Sequence, residues 1–373
     1  MNLSETTQVD RTTDSTDRPA FEIGHMTFVE MTADPATGTT PSAHQRSRDT
    51  IEQARLADQV GLDLFAVGEH HRTDFVGSAP PMVLAAAAEA TENIRLTSAV
   101  TVLSSDDPVR VWEQFATLDQ FSGGRAEIIA GRGSYTESFP LFGYDLADYA
   151  DLFREKLDLL LQIRAQNPIT WRGKLRADLD NADIGPRSIQ NLLPIWVGVG
   201  GTPASAINTG RLGLPIALAL LVGPITQHEQ AVDLYRQAAA QAGHDPATLR
   251  ASINLHGYVG RTSQGARESM YPYFAQGMMD NNHQRGRGFA MPRAAFDAQT
   301  SPSAGLVVGS PQEVIDKLLT YHELYGVDRA LIQIGFGGMP QREVLEAIEL
   351  LGTEVAPVVR REVAARNRKG KAA

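Results

Sequence analysis

The chain of 373 residues contains no cysteine. That excludes disulfides, thiolate zinc sites, iron–sulfur clusters and cysteine nucleophiles, and it fits a reducing compartment. Long apolar runs are also missing. None approaches the roughly 18 residues that span a bilayer, and the opening MNLSETTQVDRTTDSTDRPA lacks the apolar stretch of a secretion signal. The expected location is therefore cytoplasmic. Basic residues are in deficit: Lys+Arg 34 against Asp+Glu 44 leave a formal charge of -10. A general nucleic-acid binder carries the opposite balance. What remains is ordinary for a globular protein, with 42% hydrophobic and 21% charged residues. Length alone suggests two to three domains, although α/β barrels often exceed about 250 residues as one.

Residues 1–20 are rich in Thr, Asp and Ser and are expected to form a disordered tail. The end of the chain, 363–373, reads as a short basic tail, either a solvated helix end or a nucleic-acid arm. Between them, short apolar runs at 21–31, 63–67, 95–103, 126–130, 195–199, 215–221, 251–259 and 330–334 read as strands. Helical patterns fill most of the gaps, at 46–60, 81–91, 108–121, 149–165, 203–212, 227–242 and 342–351. The runs are apolar without clean alternation, which suits strands buried on both faces. Eight such βα units predict an α/β protein with a closed (β/α)8 TIM barrel over 21–362, with a doubly wound open sheet as the alternative. The stretch 260–305 is too long for a plain βα connection. It reads as helix plus a lid-like insertion before the last strand, with Tyr271–Met279 as the candidate lid.

In such a barrel the chemistry lies just after each strand. After 63–67 comes Gly68-Glu69-His70-His71-Arg72, with Gly68 allowing a sharp turn and His70 and His71 able to handle protons. Adjacent side chains diverge and no third ligand accompanies them, so no metal is expected. Ser104-Ser105-Asp106-Asp107-Pro108 reads as a helix cap. Gly131-Arg132-Gly133-Ser134-Tyr135 offers a guanidinium on an open backbone, suited to phosphate, or else a surface turn. Gly200-Gly201-Thr202-Pro203-Ala204-Ser205 is a glycine-rich turn at a helix start, either an anion site or a capped helix. It fits neither the dinucleotide fingerprint nor the P-loop. Gly335-Phe336-Gly337-Gly338 is either a bare surface for a flat ring or a simple turn. These residues support an enzyme with a phosphate-bearing ligand and do not name that ligand.

Several landmarks recur in one order: EHH at Glu69–His71, SAV at Ser98–Val100, DPVR from Asp107, LDQFSGGR from Leu118, GRG from Gly131, GGTPAS from Gly200, RLGLP from Arg211 and GSPQEVIDKL from Gly309. In this order the chain, from about Phe21 to Arg361, resembles the bacterial luciferase-like flavin-dependent monooxygenases. That resemblance implies a TIM barrel with an insertion before its last strand. It implies reduced FMN as cofactor, often delivered by a separate flavin reductase, which reacts with O2 to oxygenate a small organic substrate. It also implies a homodimer. The family's catalytic His falls on His70. Its phosphate contacts fall on Arg132, Ser134, Gly200, Gly201, Thr202 and Ser205. Its non-proline cis peptide under the flavin ring falls on Ala99–Val100, with Thr101 beside the ring. Two family positions differ here. A second phosphate Arg is replaced by Ala150, with Arg154 the nearest substitute, and a thiol position is Gly131.

Two other readings stay open: a reductase or dehydrogenase using a deazaflavin coenzyme, and a non-catalytic flavin-binding protein. The cavity mouth is expected to draw on His256, Tyr258 and Arg285.

Overall fold

Aliphatic and β-branched runs buried on both faces make the strands of this protein, and amphipathic segments cover them. The computed structural model describes residues 20–283, 291–336 and 338–372. The tail expected over residues 1–20 lies outside them up to residue 19, and Arg285 lies outside them as well. In chain order the strands are β1 (Glu22–Thr27), β2 (Leu64–Val67), β3 (Arg95–Ser98), β4 (Thr101–Val102), β5 (Ala126–Gly131), β6 (Ile169–Trp171), β7 (Leu179–Ala182), β8 (Ile195–Val199), β9 (Ile216–Leu220), β10 (Ala251–Val259), β11 (Val307–Gly309) and β12 (Arg329–Ile334). The antiparallel pair β6–β7 stands apart. The others run parallel in the order β12-β1-β2-β3-β5-β8-β9-β10, and β10 pairs with both β9 and β12, which closes the ring. This is the (β/α)8 barrel, and the open-sheet alternative is excluded.

The helices are α1 (Ala43–Gln59), α2 (Pro80–Ala90), α3 (Pro108–Ser122), α4 (Ser138–Phe142), α5 (Tyr149–Ala165), α6 (Pro203–Arg211), α7 (Glu229–Gln241), α8 (Ser263–His283), α9 (Arg293–Gln299), α10 (Pro311–Tyr325), α11 (Gln341–Leu350) and α12 (Ala356–Ala372). Local chemistry sets their ends. Asp107 accepts a hydrogen bond from Val109 N at 2.9 Å and caps α3 ahead of Pro108, as expected. Ser310 and Glu313 form a capping box on α10.

Four boundaries differ from expectation. β1 stops at Thr27 rather than Met31, because Val29 takes φ +57 and turns the chain. The run 95–103 is two strands, split at a cis peptide between Ala99 and Val100. Within 260–305 the expected helix is α8, which takes in the whole of Tyr271–Met279, and α9 and β11 follow it, β11 pairing with the end of β10. Residue 363 is no boundary, since α12 runs through it and Val363 is fully buried.

Inward-facing residues fill the barrel in layers. The bottom layer is ionic. Arg329, fully buried, donates from Nε to Glu22 at 2.7 Å and from Nη1 to Glu127 at 2.7 Å. Arg95 pairs with both carboxylates, and Arg250 reaches Glu22 at 2.9 Å. Burial alone would raise both carboxyls, but these guanidinium groups hold Glu22 and Glu127 below the usual range. The Arg329 guanidinium lies 4.0 Å from the ring of Trp196. Trp196, Leu64, Ile129 and Leu331 form the apolar layer above. The top layer is mostly small: Ala99, Gly131, Gly198 and Ala219, with Met26, His256 and Gln333. Glycine is required at two of these places, because a Cβ would come within 2.6 Å of Val100 from Gly131 and 2.8 Å from Gly198.

Two expected outcomes test these layers. Arg329→Met takes the fully buried guanidinium away from two buried carboxylates, leaving them only the partly exposed Arg95 and Arg250, and should cost about 3 kcal/mol in urea unfolding at neutral pH. Both carboxyls are held below their unfolded value of 4.5, so the cluster stabilises above that pH and loses its effect as pH falls. The deficit of the variant should therefore shrink in acid, and an equal deficit at pH 4 and pH 8 would contradict the ionic account. Gly131→Ala forces Val100 to move and should lower stability by about 1–3 kcal/mol. An unchanged urea midpoint would show that Val100 has room to give.

Candidate active site

Above the top layer a cavity of about 700 Å³ opens at the C-terminal ends of the strands, and residues in or just after every barrel strand contribute to its wall. That volume suits a cofactor or small-molecule site. His70, just past β2, lines it and is 8% exposed. Its ring packs on Phe28 at 4.9 Å, Phe75 at 4.5 Å and Tyr135 at 4.7 Å. Gly68 serves this packing rather than a sharp turn. Its φ is not positive, but a Cβ there would lie 2.1 Å from the Phe28 ring. Nδ1 of His70 lies 3.0 Å from Glu137 Oε1. Burial would raise the Glu137 carboxyl, but the hydrogen bond with His70, backbone hydrogen bonds and the charge of His70 together outweigh it and the net direction is down. Glu137, a carboxylate that can only accept, is thus the partner of Nδ1–H, and in the neutral ring Nε2 is then the accepting nitrogen.

The neighbouring His71 turns elsewhere. Its Nε2 lies 2.7 Å from Glu69 Oε1, and this bond raises its pKa. The second oxygen of Glu69 accepts from Val102 N at 2.9 Å, so one carboxylate ties β2 to β4. Among the described residues no group of three or more His, Asp or Glu is placed to hold a metal.

Across the barrel lie Arg132, after β5, and the Gly200–Thr202 turn, after β8. Arg132 donates from Nη2 to Thr202 Oγ1 at 3.4 Å, and its guanidinium lies 5.3 Å from the Tyr149 ring. Among the described residues no carboxylate forms an ion pair with it. Thr202 sits at the N-cap of α6 but makes no capping bond, so the capped-helix reading of this turn fails and its hydroxyl faces Arg132 instead. Gly201 takes φ +108, which explains the glycine. Ala99, Val100, Ser134, Gly200 and Thr202 join His70 and Arg132 on the wall.

Three expected site residues, Thr101, Gly201 and Ser205, are not on the wall. Thr101 is 3% exposed and donates to Ser98 Oγ at 2.9 Å, because the break after Ser98 turns it into the barrel wall. Gly201 lies beside the buried His228, and Ser205 lies in the first turn of α6. Arg154 is no substitute for a second phosphate Arg; it pairs with Asp151 on the surface of α5 and is 73% exposed. Tyr258 turns away from the mouth, with its hydroxyl donating to Glu343 O at 3.5 Å. The Gly335–Gly338 stretch brings Phe336 to the cavity rather than a bare backbone, and residue 337 lies outside the described residues.

The third wall was largely illegible in the sequence. Glu30, Asn254 and Gln333 line the cavity, alongside the anticipated His256. Gln333 Nε2 donates to Glu30 Oε1 at 2.6 Å, and Arg46 lies 3.8 Å from the same carboxyl group. Burial raises the Glu30 pKa against the pull of Arg46. With β1 ending at Thr27, residues 28–31 form a strand-end loop, and Glu30 falls where the chemistry of a barrel is expected. The position of that strand end is the one signal that could have found it.

The cavity thus combines an anion-gripping end, a histidine with one free nitrogen, and a polar wall whose one carboxyl, Glu30, is already engaged by Gln333 and Arg46. The protein is similar over most of its length to known oxidoreductases. N-acetyl-S-alkylcysteine monooxygenase of Bacillus subtilis is 26% identical over 313 residues, covering 79% of this chain and 89% of its own. The oxygenating component of 3,6-diketocamphane monooxygenase from Pseudomonas putida, solved with FMN, shares the fold with a TM-score of 0.73 at 22% identity, covering 90% of this chain and 98% of that one. An F420-dependent secondary alcohol dehydrogenase shares it with a TM-score of 0.70 at 18% identity, covering 91% and 99%. The family model for luciferase-like monooxygenase matches residues 21–328, and the chain belongs to that family.

Proposed function

We propose that this protein is a flavin-dependent monooxygenase that uses reduced FMN and O2 to oxygenate a small organic substrate. The observation that carries the reading is Arg132, an unpaired guanidinium among the described residues, aimed at an uncapped helix-start hydroxyl on the rim of a cavity walled by all the strands. These groups fit a phosphate monoester. Arg132 supplies charge-assisted hydrogen bonds, and Thr202 with the Gly200 backbone supplies further partners. Ser134 adds a hydroxyl on the same rim. When bound, reduced flavin supplies the electrons that activate O2.

The chain's own residues supply the rest. The small top layer at Ala99, Val100, Gly131 and Gly198 lets a flat ring approach the barrel. Glu137 holds the His70 ring through Nδ1, so that Nε2 takes or returns a proton at the cavity. Phe28, Phe75 and Tyr135 exclude water around it. Arg132 is the one arginine on the described wall, with Arg154 turned to the surface. A single cationic anchor suits a flavin that arrives from a separate reductase and departs after use. The exposed side chains Leu141, Phe142 and Leu146, close to His71 through its Phe142 contact of 5.0 Å, support a homodimer that covers them.

Anaerobic titration with reduced FMN and with reduced F420 tests the reading directly. FMN should bind more tightly, and Arg132→Ala should weaken it by roughly tenfold or more through loss of a charge-assisted contact. Clear preference for F420, or binding of neither, would overturn it. His70→Ala should keep FMN affinity within about threefold while turnover across a substrate panel falls by roughly a hundredfold or more. Undiminished turnover would remove His70 from the chemistry.

A further inference from the structure

The wall opposite Arg132 carries polar groups with unmet hydrogen-bonding capacity. His256 on β10 and Gln333 on β12 are register partners on adjacent parallel strands, and both face the cavity. Gln333 is 2% exposed, and its Oε1 has no hydrogen-bond partner while its Nε2 is spent on Glu30. His256 is 7% exposed, and its Nδ1 has no partner either. Its ring is held between Phe274 at 5.8 Å and Phe336 at 4.5 Å. Burying a polar atom without a partner costs free energy, so two such atoms on register-paired residues of a cavity wall are suited to a ligand that satisfies them.

The chemistry of these two atoms determines the kind of ligand. Burial keeps His256 neutral, with its pKa pushed down to about 3. Gln333 Oε1 can only accept, whereas a neutral imidazole nitrogen can donate. One hydroxyl group meets both needs: its O–H donates to Gln333 Oε1 while its oxygen accepts from His256 Nδ1–H. An anionic group is disfavoured. The nearest cation, Arg46, is already engaged with the Glu30 carbonyl at 3.0 Å and the Glu30 carboxyl, and Glu30 itself adds an acidic group. The surrounding wall is apolar, with Phe28, Met278 and Phe336.

We propose that His256 and Gln333 form the substrate-positioning subsite, selecting an uncharged, largely apolar molecule by a single hydroxyl group. The inference rests on the proposed function only in assigning the Arg132 end of the cavity to flavin. It places the constant, charged ligand at β5 and β8 and the variable, neutral one at β10 and β12.

Calorimetric titration of the FMN-loaded protein with 4-propylphenol, 4-propylanisole and 4-propylbenzoate provides the test. The phenol should bind roughly tenfold more tightly than the anisole, and the benzoate more weakly than either. In Gln333→Leu the preference for phenol over anisole should collapse to within about twofold, with FMN affinity unchanged. In His256→Phe both neutral probes should lose about five- to tenfold, since both offer an oxygen acceptor. Circular dichroism and thermal melts confirm that each variant is folded, and His256→Phe carries the test if Gln333→Leu is not. Equal binding of phenol and anisole to the wild type, tightest binding of benzoate, or loss of FMN affinity with the phenol preference intact would overturn the subsite. Failure of FMN to bind while the probe pattern holds in the flavin-free protein would overturn the proposed function and leave the subsite standing.

Discussion

The interior of an eight-stranded parallel barrel has a volume that side chains must fill, and the site exists because this chain fills it from one end only. The bottom is closed by Glu22, Glu127 and Arg329, all essentially without exposure. A cluster of this kind adds little net stability over an apolar filling of the same volume, since desolvation offsets much of the attraction. Its geometric effect is plainer. One guanidinium bonds carboxylates from β1 and β5, strands that are not neighbours, while Arg95 and Arg250 reach in from either side. Those bonds span the barrel and fix its cross-section. Trp196 then lies over Arg329 and fills the middle. Only with that floor in place can the top layer shrink to alanine and glycine without collapse.

Shrinking the top layer has a cost that the surrounding polar groups offset. Groups at the strand ends leave the regular ladder and need other partners. Glu69 meets this need by accepting from Val102 N, and so positions the chain just beyond Ala99 and Val100. The same loop presents His70, whose orientation depends on Glu137 from a different segment and on the close approach that Gly68 permits to Phe28. In a chain of net charge -10, an anionic ligand needs a local anchor strong enough to outweigh the general field. Arg132 meets that need because no described carboxylate neutralises it.

The fold was legible in the sequence because its signals are local and repeated. The helix 149–165 matches α5 residue for residue, and Asp107-Pro108 announces the start of α3. The His70 and Arg132 loops were legible because they directly follow well-bounded strands. Elsewhere the limits are physical. Nothing in residues 21–31 shows that Val29 adopts a positive φ, so the strand ran on through Glu30 and hid it. Thr101 was expected beside the cavity from the resemblance, but beyond the split at Ala99–Val100 its hydroxyl turns to Ser98. Gln333 lies inside a strand, where polarity reads as an exception to burial. Its role depends on a contact with Glu30 across 303 positions of sequence, which no local pattern encodes.

The two ends of the cavity differ in the physical basis of recognition, and that difference bears on what each can distinguish. A guanidinium with a backbone turn recognises charge and shape that all phosphate monoesters share, so it gives affinity with modest selectivity. A neutral wall with buried, unmet polar atoms acts the other way. It gains little from a matching group, because that group must leave water. It penalises a molecule that leaves those atoms unpaired, by the full desolvation cost. The proposed subsite therefore puts selectivity for the substrate where the unmet atoms lie, on β10 and β12, and the proposed function puts retention of the cofactor where the free charge lies, on β5 and β8. Between them lies His70, held by Glu137 and packed against three aromatic rings, where the proposed function has it move a proton for the molecule that the β10–β12 wall has admitted.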